Sequence, residues 1–220
     1  MLAVFDLDET LIRGDSSQLF SRFLRASAID TSPGAQEKDK AFMARYHAGD
    51  LDLQAYMKFS LTPLKGWRQE PLRELVDRFV TTVIASRVLP GGQECIAWHK
   101  ARGHQVLVIS ATGEHLVTPI ARHLGISEGI GVQLEWQNGR LSGSIGSRRP
   151  FREGKIRALE EWLAARPVKP EKTWFYSDSH NDLPLLNHVD CPVAVNPDPV
   201  LRKIAIEKGW RILNDTPAEA

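Results

Sequence analysis

The chain has 220 residues, 42% hydrophobic and 25% charged, with a net charge of +1, a balance that suits one sizeable domain or one domain carrying a smaller insertion. No long run of one sign offers a footprint for nucleic acid or a membrane surface, and Arg148, Arg149 and Arg152 are too few to make one. The two distant cysteines, Cys95 and Cys191, read as reduced core residues, no stretch is long enough to span a bilayer, and acidic Asp6 and Asp8 interrupt an apolar start too short for a secretory signal, so a cytoplasmic protein is expected.

The first element is the apolar run Leu2-Ala3-Val4-Phe5, which reads as a buried strand of a parallel sheet and ends in Asp6-Leu7-Asp8. Sites in open α/β sheets lie just there, beyond the carboxyl ends of strands. If the strand continued through both aspartates, their carboxylates would stand side by side and repel unless a divalent, oxygen-loving cation lay between them. The plainer alternative is one capping aspartate and one solvated aspartate.

Helical periodicity follows. Asp15-Ser16 can cap a helix carrying Leu19, Phe20, Phe23 and Leu24. A second pattern holds Phe42, Met43 and Tyr46 and stops near Gly49, and a third, after Asp50, holds Leu53, Tyr56, Met57 and Ser60 and ends before Pro63. The fourth opens with Pro71 in its first turn and carries Leu72, Leu75, Val76, Phe79, Val80 and Val83. Residues 15–88 therefore read as a small all-helical domain inserted into an α/β domain made of 1–14 and 89–220. The aromatic side chains Phe20, Phe23, Phe42, Tyr46 and Trp67 are expected to form its core.

Leu89-Pro90-Gly91-Gly92 punctuates the end of the insertion, and strands then alternate with helices. A short helix with Ile96 and Trp98 ends at Gly103. A second buried strand, residues 104–109, runs into Ser110-Ala111-Thr112-Gly113, and a helix follows towards Gly125, with Pro119 placed in its first turn or kinking it. Alternation on both sides of Asn138-Gly139 marks a hairpin over residues 132–145. Gly154-Lys155 opens a helix with Ile156, Leu159 and Leu163. A third strand, residues 173–176, leads into Ser177-Asp178-Ser179-His180-Asn181-Asp182. A fourth spans 192–195, Asp198-Pro199 starts a helix ending at Gly209, and a last strand, 210–213, precedes a polar tail. The alternation implies a parallel sheet with helices on both faces, a Rossmann-like α/β fold.

Three strands thus end in polar turns, Asp6/Asp8, Ser110 and Asp178/Asp182, with Lys155 at a helix start between the last two. Converging at one rim, they bring together four acids, a hydroxyl and an amine. Acids suit a hard cation such as Mg²⁺ that also binds phosphate, while the hydroxyl, turn amides and lysine suit phosphate oxygens. His180 reads as a solvated turn residue, and His99, His104, His115 and His123 lack metal spacing.

In order and placement these four motifs resemble the haloacid dehalogenase superfamily, and the helical insertion after the first motif and the hairpin before the lysine resemble its phosphoserine-phosphatase-like subgroup. The resemblance spans nearly the whole chain. It implies an enzyme that hydrolyses phosphomonoesters of a small metabolite. Asp6 would be the nucleophile and Asp8 the general acid and base. Mg²⁺ would be held by Asp6, Asp178 and the backbone carbonyl of Asp8. Ser110 and Lys155 would bind the phosphoryl group, and Asp182 would orient Lys155 or water. An acid at position 8 disfavours dehalogenase and ion-pump chemistry, and leaves a mutase or phosphotransferase as the alternative. A receiver-type switch or a silent phosphate binder is a further alternative, though a receiver would lack both the insertion and Asp8.

Asp15 stands where such phosphatases carry an acid that contacts the substrate's amine, although a helix cap explains it equally. Ala111-Thr112, and the serines flanking Asp178, replace glycines of phosphoserine phosphatases, which counts against phosphoserine and points to another amino-alcohol phosphate such as L-histidinol phosphate. Arg22, Arg45 and Arg68 are the insertion's candidates for a substrate carboxylate.

Overall fold

Alternation of side chains along the strands decides the layers. In the computed structural model, which describes residues 1–214, Ala3 and Phe5 of strand β1 (Leu2–Phe5) join one apolar cluster while Leu2 and Val4 join another. The same division holds for Val108 against Leu107 and Ile109 in β2 (Gln105–Gly113), for Tyr176 against Phe175 in β6 (Thr173–Ser177) and for Val193 against Ala194 in β7 (Cys191–Val195). Completed by β3 (Glu128–Val132) and β8 (Arg211–Leu213), the sheet has six strands in the order β3-β2-β1-β6-β7-β8, with parallel neighbours throughout. The expected Rossmann-like α/β architecture is therefore present. Among the described residues no helix is long and apolar enough to cross a membrane, and the expected polar tail lies, from residue 215, outside the described residues.

One face is covered by α7 (Glu153–Ala164), α8 (Leu183–Leu186) and α9 (Pro199–Lys208), through Leu159, Trp162, Leu185, Leu186 and Leu201. The other meets α5 (Pro90–Lys100) and α6 (Glu114–His123), and its cluster runs on without a break into the inserted helices. These are α1 (Ser16–Ala26), α2 (Ala35–Ala48), α3 (Leu53–Ser60) and α4 (Gln69–Phe79), the last continued by a π-helical turn, Val80–Ile84. Phe20 and Phe79, both buried, meet at 5.0 Å in an edge-on pair, each burial supplying about 1.5–3 kcal/mol of hydrophobic free energy. The chain enters and leaves the insertion along one antiparallel pair, with Arg13 N–H donating to Arg87 O at 2.7 Å and Leu89 N–H to Leu11 O at 2.9 Å.

Local chemistry sets the ends. Asp15 caps α1 by accepting from Gln18 N–H at 2.8 Å, a bond worth about 1 kcal/mol. The hairpin of β4 (Leu134–Gln137) and β5 (Arg140–Ile145) turns at Asn138 and Gly139, both at positive φ (51° and 72°), as the tight mirror-image turn requires. It then clamps the loop before α4, Gly66 N–H donating to Leu141 O at 2.8 Å.

Four features settle, differ from or add to the sequence reading. Strand β1 stops at Phe5, so Asp6 and Asp8 are loop residues and do not share a strand face. Pro119 lies inside α6 beyond its first turn; packing of buried Leu116, Val117, Ile120 and Ala121 offsets the roughly 3 kcal/mol that an interior proline costs. Strand β3 goes unread in the sequence because Gly129 and Gly131 weaken its pattern. Gly131 is there for space, since a Cβ on it would stand 2.6 Å from the Thr112 carbonyl oxygen and from Glu114 N. Finally, Cys95 and Cys191 are half-buried and line a groove of about 570 Å³ with Pro90, Trp98, Trp174 and Tyr176, apart from the acids of the sheet rim.

Candidate active site

Because β1 lies in register between β2 and β6, with Phe5 beside Val108 and Tyr176, the three strands deliver their following residues to one rim. Asp6 prolongs the ladder by one bond, its N–H donating to Tyr176 O at 2.9 Å. Helix α7 begins against the same rim, and its start needs glycine, since a Cβ on Gly154 would stand 2.0 Å from the Arg149 carbonyl oxygen. Lys155 follows, 2% exposed, and Nζ donates to Asp6 Oδ1 at 2.8 Å and to Asp182 Oδ2 at 2.6 Å. Ser177 Oγ donates to the same Asp182 oxygen at 2.6 Å.

A lysine buried this completely loses its hydration and is tolerable only when paired. Burial works against its charge, but Asp182 and Asp6 outweigh burial and hold the ammonium above the usual lysine range. Burial, opposed by Lys155, pushes the Asp6 carboxyl up to about 7. Asp178 is also raised well above the ordinary range, by burial and then by the charges of Asp6 and Asp182.

Asp8 is held separately. Its Oδ1 accepts from Ser16 N–H at 2.8 Å at the start of α1, and its Oδ2 from Thr112 Oγ1 at 2.9 Å at the end of β2. Burial lifts this carboxyl to about 7, the charge of Asp15 adding to the rise and the Ser16 and Thr112 bonds opposing it. Two acids from one short motif thus sit in different surroundings, Asp6 on a cation and Asp8 on neutral donors. A carboxyl that holds a proton near neutrality suits acid–base work.

Asp6 and Asp178 offer oxygen ligands, and the charge of Asp6 helps to raise Asp178, a repulsion that a cation between them would relieve. With Asp8's side chain engaged, its backbone carbonyl is what that residue has left to offer. Among the described residues no three His, Cys, Asp or Glu side chains gather into a metal cage. Mg²⁺ is commonly held by one or two carboxylates, with water and substrate phosphate completing its shell, so the donor set fits it.

Ser110, 2% exposed, accepts from Thr112 N–H at 3.2 Å and lines an inner space of about 30 Å³ with Asp6, Asp8, Lys155 and Tyr56. An outer cavity of about 230 Å³, sharing Asp8, Asp15, Met43 and Tyr46 with the inner one, reaches Asp178 and Arg22. The rim and the inserted helices therefore enclose one continuous site. All seven candidate residues except Asp182 line this space, and Asp182 stands behind Lys155. Asp15 caps α1 and also lines the cavity. Of the three arginines only Arg22 lines the cavity, while Arg45 pairs with Asp50 at 3.5 Å and Arg68 bridges to the hairpin at Arg140.

Sequence reasoning missed four participants. Thr112 positions Asp8; a threonine in place of glycine was itself the signal. Ser16 contributes a backbone N–H, which no side-chain motif announces. Tyr46 packs against the helical core as expected but also reaches the rim: its Oη donates to Ser179 Oγ at 3.4 Å, while its carbonyl accepts from Asn181 Nδ2 at 3.1 Å. His180 is pinned rather than solvated, with Nδ1 and the backbone N–H meeting Asp198 Oδ2 at 2.8 and 2.7 Å. His99 proves to be fully buried core, bonded to Tyr176 Oη at 2.8 Å.

Residues 3–187 match the haloacid dehalogenase-like hydrolase family. The chain is 41% identical over 217 residues to a histidinol-phosphatase of Neisseria meningitidis serogroup C (strain 8013), with 97% of this chain and 98% of that protein covered. A protein of unknown function from Bordetella pertussis Tohama I is similar in structure at TM-score 0.89 and 32% identity, over 98% of both chains. A phosphoserine phosphatase solved as a phospho-aspartyl intermediate analogue shares the fold at TM-score 0.69 and 21% identity, over 98% of this chain and 93% of that one.

Proposed function

Since the chain belongs to the haloacid dehalogenase-like hydrolases and is a phosphatase of that family, we propose that it hydrolyses a small phosphomonoester in a Mg²⁺-dependent reaction through an aspartyl-phosphate on Asp6. The substrate is an amino-alcohol or amino-acid phosphate, of which L-histidinol phosphate and L-phosphoserine are the two to test. The supporting observation is the buried Lys155 bridging Asp6 and Asp182, at 2.8 and 2.6 Å, beside an Asp8 held by different donors.

Asp6 attacks phosphorus in line, and the bond to the leaving oxygen breaks as Asp8 gives that oxygen its proton. Asp8 then takes a proton from water, which attacks the acyl phosphate, releases phosphate and restores Asp6. Lys155 and Ser110 bind phosphoryl oxygens, and Asp182 and Ser177 hold Lys155 in place. Held by Asp6, Asp178 and the Asp8 carbonyl, Mg²⁺ would offset charge on the phosphoryl group. Residues 15–88 act as a cap over the domain of 1–14 and 89–220, keeping bulk water from the reacting atoms.

The test is phosphate release from the two substrates with Mg²⁺ and after chelation, for the parent and for Asp6→Asn and Asp8→Asn. Metal-dependent release that falls at least about 10³-fold in each variant is expected. Undiminished hydrolysis by Asp6→Asn would overturn the covalent mechanism.

A further inference from the structure

We propose that the hydroxyls of Ser16 and Ser17, at the start of helix α1, are positioning groups for the general acid: acting through Thr112, they aim the Asp8 carboxyl at the leaving oxygen. This rests on the phosphatase reading above and adds two residues to the machinery of its proton transfer.

A threonine hydroxyl has one hydrogen to give and two lone pairs to receive. Thr112, 5% exposed, gives its hydrogen to Asp8 Oδ2 at 2.9 Å. Its oxygen also lies 3.3 Å from Ser16 Oγ and 3.3 Å from Ser17 Oγ. With that one hydrogen committed to the carboxyl, Thr112 accepts from both serines, so both of its lone pairs are filled and the three hydroxyls point one way. Ser16 is fully buried, and Ser17 lines the inner space beside Asp8, Ser110 and Thr112. Away from water, a hydroxyl that receives hydrogen bonds becomes a stronger donor. The two serines thus tighten the bond that Thr112 makes to Asp8.

The same helix start holds the other carboxyl oxygen, Ser16 N–H donating to Asp8 Oδ1 at 2.8 Å. One acceptor site on each oxygen is thereby occupied, which fixes the plane of the carboxyl and leaves a site on each for the proton exchanged with the ester. The start of α1 and the end of β2, 96 residues apart at Ser16 and Thr112, therefore meet on one side chain. A general acid works only within hydrogen-bond reach of the oxygen it protonates, so a carboxyl free to swing loses rate in the step that expels the alcohol. That step should feel the serines, and substrate binding should not.

The experiment measures kcat and KM with Mg²⁺ for the parent, Ser16→Ala/Ser17→Ala, Thr112→Val and the triple variant on two probes. One is whichever of L-histidinol phosphate and L-phosphoserine the parent hydrolyses faster, since an alkoxide needs a proton to leave. The other is 4-nitrophenyl phosphate, whose phenolate spreads its charge over the ring and leaves without one. Ser16→Ala/Ser17→Ala should lower kcat/KM on the alkyl ester about tenfold or more, through kcat, and on 4-nitrophenyl phosphate less than about threefold. In the Thr112→Val background the same two substitutions should change the alkyl-ester value less than about twofold, because their route to Asp8 is already cut. If the double variant fails to fold, Ser17→Ala alone replaces it, with a loss of about threefold or more expected on the alkyl ester. An equal loss on both probes, an undiminished alkyl-ester value, or a loss that recurs in full in the Thr112→Val background would each overturn the proposal. Release from none of the probes by the parent would overturn the phosphatase reading itself, and this inference with it.

Discussion

The two ends of the cavity are built on opposite plans. At the sheet rim nearly every polar group is already satisfied: Lys155 by two carboxylates, Asp182 also by Ser177, and Asp8 by Ser16 and Thr112. At the outer end, lined by Arg22, Met43, Tyr46 and His47 of the inserted helices, Arg22 makes no hydrogen bond or ion pair among the described residues. The rim's positions are dictated by strand register, which leaves no freedom to rearrange. The helical end holds bonding capacity in reserve. A saturated network suits chemistry that must be preorganised, and an end with bonding capacity to spare suits a ligand that completes it.

The largest effect should come from breaking the saturated network. Lys155→Met leaves Asp6 and Asp182 buried without their cation and should lower stability by about 3–5 kcal/mol, read from the urea midpoint. A loss below about 1 kcal/mol would mean that the rim is held by something other than its ion pairs. Gly131→Ala drives a methyl against the Thr112 carbonyl and should cost about 1–3 kcal/mol by overpacking. Melting temperature and kcat should fall together, because the displaced loop carries Ser110 and Thr112.

Thr112→Val keeps the shape but removes the donor to Asp8 Oδ2. It should lower kcat about 10- to 100-fold, equivalent to roughly 1.4–2.7 kcal/mol, with KM nearly unchanged; a change confined to KM would move Thr112 from the rim's chemistry to the recognition end. The smallest effect is expected from Tyr46→Phe, which removes the 3.4 Å contact with Ser179. Loss of one long hydrogen bond should cost less than about 1 kcal/mol and shift KM more than kcat, since it ties a helix to the rim without holding a reacting group.

The rim was legible in the sequence because each of its acids follows a strongly apolar run, and runs that end together in a parallel sheet must converge. Asp6, Ser110, Lys155 and Asp178 could therefore be placed near one another before any coordinate was known. Strand β3 could not be read, because the glycines that make room for the Thr112 turn also erase the strand pattern. The cavity-facing part of Tyr46 went unread for a related reason: helical spacing says that residues share a face, and not whether that face meets a core, a cavity or both. His180 fell to a partner 18 residues away, Asp198, which sequence proximity does not suggest.

By itself the sequence determined the layer order of a parallel α/β sheet, the position of a helical insertion after the first strand, and the set of groups at the strand ends, because those follow from local periodicity and from where apolar runs stop. Only the tertiary structure decided how the two aspartates of the first motif divide, one onto Lys155 and the other onto Thr112 and Ser16, and which of the insertion's many polar side chains face the cavity. The pairings of Asp8 with Thr112 and of Asp6 with Lys155, 104 and 149 residues apart, depend on how helices pack upon the sheet, and packing is settled by the whole core at once.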